Sequence, residues 1–250
     1  MILSICIDSI FENIDQLTAL EQVKAAGFSV FEFWHWQERN LDTLLKKAAV
    51  LGLNCSGFCT KSFNLSDPAQ RDTFLFGLKE SIVHAKMMGA KFLITQSGND
   101  TGAARPFQRQ SLIDGLKAAS AILENTGITL LLEPLNAKID HPGIYLESSD
   151  EGFEIVSQVG SPCIKLLFDI YHQQITEGDI IRRMTSNIDK IGHIHCAGNP
   201  GRHELDSGEL DFRQIFRALE SAGYTGYAGI EYFPLKPAME GLKRLREQIG

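Results

Sequence analysis

Residues 163–198 read CIKLLFDIYHQQITEGDIIRRMTSNIDKIGHIHCAG. An apolar run over 164–169 ends in Asp169. A helical pattern follows at about 177–188, and a second apolar run over 191–196 carries His195. Near-continuous apolar runs of this length mark strands covered on both faces, and a helix-length spacer is what parallel neighbours require. The unit repeats outward in both directions. Runs at 2–8, 29–34, 54–59, 91–96, 128–133 and 227–232 complete eight expected strands, their starts roughly 25–38 residues apart. Between them, LTALEQVKAAG and LDTLLKKAAVLG end in Gly27 and Gly52, both suited to helix C-termini. The segment from Asp67 to Gly89 offers a capping aspartate, Pro68 in the first turn and a terminal glycine. Further helices are expected at about 148–158, 211–222 and 236–248.

Eight strand–helix units in one domain, 1–250, predict a single (β/α)8 barrel. The rival is an open doubly wound sheet. It calls for a Gly-x-Gly-x-x-Gly turn after the first strand, and ICIDSIFENIDQ has none; a Gly-x-x-x-x-Gly-Lys phosphate loop is also missing.

The composition is that of a globular chain, 44 % apolar and 22 % charged, rather than a disordered one. A formal charge of −7 without a dense Lys/Arg cluster argues against a nucleic-acid partner. No apolar stretch approaches the ~18 residues of a membrane span, and the N-terminus lacks a basic signal-peptide start. Five cysteines without a disulfide framework favour a reducing compartment, so the expected location is cytoplasmic.

In a barrel, function gathers at the C-terminal ends of the strands. There the last four apolar runs carry Glu133, Asp169, His195 and Glu231. Burying one such group unpaired costs several kcal/mol, so four in equivalent places imply a shared site. Three carboxylates and one imidazole suit one divalent metal ion, Mn2+ or Mg2+. His193 shares parity with His195, so both are expected to point inward, and Gly229 is expected to leave open volume beneath Glu231. His172, Asn136 and Arg202 follow the strand tips closely and are candidates for holding a polyol or acid; Glu32 and Gln96, on earlier strands, are further candidates. Trp34, His35 and Trp36 are candidates for a substrate wall, and Lys61 is a weaker candidate of the same kind.

The stretches LLEPLN, FDIYHQQITEGDIIRR, IGHIHCAGNPGRHE, GELDF and GYTGYAGIEYFP resemble, in order and spacing, the hydroxypyruvate isomerase branch of the xylose-isomerase-like (β/α)8 enzymes, related to the ketose 3-epimerases. The resemblance implies metal binding by Glu133, Asp169, His195 and Glu231, proton transfer by Glu133 and Glu231, and substrate contacts from His172 and Arg202. It also implies a homodimer or homotetramer, with Trp34 and Trp36 as possible interface residues. Two features depart from the hydroxypyruvate isomerases. His195, as in the epimerases, stands where they usually have glutamine, and where they usually carry a Gly- and Arg-containing loop after strand three this chain reads CTKSFNLSDPAQRD, without glycine. Arg105 and Arg109, in the segment after strand four, are candidates for reading an acid group or for flanking the next helix.

The expected activity is therefore isomerisation or epimerisation of a small keto-sugar or keto-sugar acid through an enediolate. The alternatives are decarboxylation of a 3-keto sugar acid, cleavage of abasic DNA and a non-enzymatic sugar-binding barrel. The negative charge opposes the DNA reading, and the complete quartet opposes a barrel that has lost its chemistry.

Overall fold

The computed structural model describes residues 1–249. Eight parallel strands close into a barrel in chain order: β1 (Ile2–Cys6), β2 (Val30–Phe33), β3 (Asn54–Cys59), β4 (Phe92–Gln96), β5 (Thr129–Glu133), β6 (Ile164–Asp169), β7 (Ile191–Cys196) and β8 (Tyr227–Ile230), with β8 pairing back to β1. The helices wrap the outside: α1 (Ile7–Ile10), α2 (Gln16–Ala25), α3 (Leu41–Leu51), α4 (Arg71–Met88), α5 (Arg105–Leu123), α6 (Ser149–Val159), α7 (Ile170–Thr176), α8 (Ile180–Ser186), α9 (Phe212–Ser221) and α10 (Ala238–Ile249). This is the (β/α)8 architecture. None of the described helices is long and apolar enough to cross a membrane.

Local chemistry explains most boundaries. Asp15 and Asn40 cap α2 and α3 by accepting backbone N–H groups, and Ser148 does the same for α6. Gly52 and Gly89 end α3 and α4 with φ of 65° and 69°, a conformation that glycine enters without steric cost. Asp67 caps a short 3-10 turn that leads into α4. The helix expected at 177–188 is present as the shorter α8, and a further short helix, α7, precedes it. Asp169 starts α7 directly at the end of β6, and Gly178 and Asp179, both at positive φ, break it before α8.

Two apolar layers follow from the closed sheet. The larger lies between strands and helices, where Phe212, Ile215, Phe216 and Leu219 of α9 are buried at helical spacing. A smaller one fills the barrel interior with Cys59, Phe92, Ile94, Leu131 and Leu167. The interior also holds a polar layer made by Ser4, Glu32, Ser56 and His193, all at most 2 % exposed. The five cysteines are free.

Candidate active site

Glu133, Asp169 and His195 end or nearly end neighbouring strands, and Glu231 directly follows β8. Strand register aligns them: Gln96 pairs with Glu133, Asp169 with His195, and His195 with Gly229. His195 Nδ1 lies 3.2 Å from Glu231 Oε2, 3.4 Å from Glu133 Oε1 and 3.9 Å from Asp169 Oδ2. One donor atom from each of the four residues falls within 4.8 Å of the others, and all four residues are buried.

The surroundings define each role. Asp169 uses Oδ1 to accept the His172 backbone N–H at 3.0 Å, which caps α7 and leaves Oδ2 facing the cluster. Glu231 Oε1 accepts from Trp34 Nε1 at 2.5 Å, while Oε2 is paired with Arg202. Arg202 is not a solvated loop charge. Its side chain is 13 % exposed, it reaches to 3.8 Å from Asp169 Oδ2, and its guanidinium lies over Tyr171 and near Phe233. The NPGRHE loop holds Arg202 at φ 58°, a left-handed conformation unusual for a residue with a Cβ.

Opposite charges shift one another's ionisation inside the cluster. Burial raises the Glu231 carboxyl, but Arg202 and His195 overcome it and hold the group well below the usual carboxylate range. Burial also raises Asp169, with the adjacent Glu231 charge working in the same direction against Arg202. Burial disfavours the charged form of His195, yet the carboxylates around it, Glu231 foremost, push the imidazole well above its ordinary value. His172 goes the other way: burial, reinforced by Arg202, lowers it to about 3 and keeps the ring neutral. Its Nδ1 meets Asn136, while its buried Nε2 has no hydrogen-bond partner.

A cavity of about 300 Å³ opens above this cluster. Glu133, His172, His195, Arg202, Glu231 and Gln96 form its polar side, and Trp34, Cys59, Phe63, Ile94 and Leu135 its apolar side. His35 and His141 complete the lining. Asp169 is not among the lining residues. Glu32 and Asn136 are not in the lining. Glu32 points into the polar layer beneath, toward His193 and His195, and Asn136 binds His172 and Asp140. His141 carries no motif that marks it in the sequence; it lies in the loop after β5, its ring 5.2 Å from that of His172.

Several other expectations are corrected. Gly229 does not leave open volume: a Cβ there would fall 2.2 Å from Glu32 Oε1 and 2.6 Å from His195 Cδ2, so the glycine admits side chains from other strands. Trp36 is buried beside His84 and donates to Ser81. Lys61 pairs with Glu80 at 2.6 Å. Arg105 binds Glu151, and Arg109 binds Glu154 and Gln158, so both tie α5 to α6.

Three carboxylates converging on one imidazole nitrogen place more negative charge at one point than Arg202 alone offsets. The mixed set of oxygens and one nitrogen suits a divalent cation. The residues present therefore fit such an ion, with Glu133, Asp169, His195 Nδ1 and Glu231 as its holders.

The chain is 28 % identical over 246 residues to hydroxypyruvate isomerase of Escherichia coli, covering 94 % of each. It is 39 % identical to 2-oxo-tetronate isomerase of Cupriavidus necator over 142 residues, a match spanning 57 % of this chain and about half, 54 %, of that protein. Among solved structures, a chain described as AP endonuclease, family 2, from Brucella melitensis superposes with a TM-score of 0.94 at 26 % identity, covering 98 % of each chain. The model of the xylose isomerase-like TIM barrel matches residues 20–248, and the chain belongs to that family.

Proposed function

We propose that this protein is a divalent-metal-dependent isomerase or epimerase of a small keto acid or keto-sugar, with proton transfer through an enediolate. The observation that carries the reading is the convergence of Glu133, Asp169, His195 Nδ1 and Glu231 at the floor of a cavity that also presents His172 and Arg202. The names of the relatives, isomerases of hydroxypyruvate and of 2-oxo-tetronate, favour a three- or four-carbon acid.

A divalent ion held by the quartet supplies positive charge to the substrate oxygens on which negative charge develops. Glu133 and Glu231 approach the same point from different strands, so they can serve opposite sides of a bound substrate. One takes the proton from the carbon beside the carbonyl. The other returns a proton to the neighbouring carbon, giving an isomer, or to the opposite face, giving an epimer. Glu231 is ionised at rest, and a substrate oxygen that draws Arg202 away would raise its basicity. Nδ1 of neutral His172 faces the N–H donors of Asn136 and so accepts, which leaves the proton on the unpartnered Nε2 to donate to a substrate oxygen. The apolar side, led by Trp34 and Phe63, limits water at the reacting carbons.

An abasic-DNA substrate fits less well. The lining contains no lysine, its one arginine is engaged by Glu231, and the chain carries −7 overall. The reading is tested by incubating the Mn2+-loaded protein with hydroxypyruvate, 2-oxo-tetronates and pentuloses in D2O and following products by NMR. An isomeric product with deuterium at the exchanged carbon is expected. Release of CO2 without an isomer would transfer the assignment to a decarboxylase.

A further inference from the structure

Beneath the quartet, the polar layer inside the barrel converges on one carboxylate. Glu32 is 2 % exposed, and the β2–β3 register shifts between Phe31 and Phe33, the point at which Glu32 turns across the barrel. Its Oε2 lies 3.1 Å from His193 Nε2, and its Oε1 lies 3.1 Å from His195 Nε2. Ser56 Oγ donates to Oε2 at 3.2 Å and sits 2.7 Å from Ser4 Oγ. The Phe92 ring packs on His193 with centroids 4.3 Å apart. Gly229 supplies the space into which Glu32 and both imidazoles project.

An ionised carboxylate only accepts. Two imidazole Nε2 atoms that face the same carboxylate, with no other partner, are therefore both placed to carry their protons there. For His195 this leaves Nδ1 as the nitrogen directed at Glu133, Asp169 and Glu231. A ligating imidazole whose other N–H faces a carboxylate is fixed in tautomer and ring orientation, and loss of such a support typically weakens metal affinity by about 10–100-fold.

We infer that Glu32, braced by Ser56 and His193, is the positioning residue that holds His195 with its proton on Nε2 and presents Nδ1 to the divalent ion. The inference rests on the metal-dependent reading of the quartet. Glu32 touches neither the cavity nor a substrate; it acts through His195.

The test is Mn2+ titration followed by the electron paramagnetic resonance signal of free ion, on the wild type, Glu32→Ala and the shape-preserving Glu32→Gln, each checked for native circular dichroism. Glutamine offers one acceptor oxygen to two N–H donors and carries no charge. The wild type is expected to bind one equivalent, and both variants at least tenfold more weakly. In Mg2+-loaded wild type, long-range 1H–15N spectra should show His195 protonated at Nε2. Wild-type affinity in a folded Glu32→Gln protein, or a proton on Nδ1 of His195, would overturn the inference while leaving the metal-dependent reading intact. Two equivalents in the wild type, with one lost in the variants, would overturn it in favour of a second ion between Glu32, His193 and His195. A wild type that binds no Mn2+ would defeat the metal-dependent reading itself and the inference with it.

Discussion

Asn136 Nδ2 lies 2.6 Å from His172 Nδ1, and the same amide nitrogen is 2.7 Å from Asp140 Oδ2. The amide oxygen accepts from the backbone N–H groups of Ile139 and Asp140. One buried side chain therefore both folds the loop after β5 and turns the free Nε2 of His172 toward the cavity. Asn136→Ala strands several buried polar groups at once. It is expected to destabilise the protein by about 1–3 kcal/mol in urea unfolding and to lower turnover. Unchanged stability would mean that the loop does not depend on this amide.

His172 also sets a pH dependence. Its folded value, about 3, lies below the ordinary 6.5, so the unfolded chain binds the extra proton in between. The contribution is present in full above about pH 6.5 and is lost as pH falls toward 3. Unfolding free energy should fall more between pH 8 and pH 5 for the wild type than for His172→Gln. Equal losses in both proteins would remove His172 as the source.

Arg202 faces Glu231 and Asp169 from within the wall. Removing one partner from a buried charge cluster costs about 3–5 kcal/mol. Metal-free Arg202→Ala should therefore unfold at lower denaturant than the wild type, and added Mn2+ should restore part of the loss. Absence of any such rescue would argue against a cation site among the remaining carboxylates.

Gly229→Ala tests the polar layer from the opposite side. Its Cβ would fall 2.2 Å from Glu32 Oε1 and 2.9 Å from His193 Nε2. Overpacking of this kind costs about 1–3 kcal/mol. A thermal melt indistinguishable from that of the wild type would show that Glu32 can move aside freely.

The strands were legible because each is covered on both faces and so reads as a continuous apolar run. The polar residue at each tip stood out against that background. Glu133, Asp169, His195 and Glu231 could be picked out together for this reason. Glu32 was visible as a polar residue in VFEF, but its direction was not, because a register shift turns it across the barrel toward residues of β7. Gly229 was misread for a related reason: the sequence shows a missing side chain, and only the closed barrel shows which neighbours fill the space. For Arg105 and Arg109 the sequence left open an acid-reading role and a place flanking the next helix; both lie in α5, and their partners are on α6, more than forty residues away in the chain. The helix at α8 was legible, but α7 was not: it starts directly at the strand tip on an N-cap from Asp169, and Gly178 and Asp179 separate it from α8.

The central claim is that Glu133 and Glu231 move the proton beside a divalent ion. Its most direct test is solvent deuterium incorporation into a turned-over keto substrate, measured by NMR with Mn2+-loaded wild type, Glu133→Gln and Glu231→Gln, with metal-chelated wild type alongside. The loaded wild type is expected to incorporate deuterium, each variant at least about 100-fold less with the fold retained, and the chelated protein none until Mn2+ is returned. Wild-type incorporation by either glutamine variant, or by the metal-free protein, would contradict it.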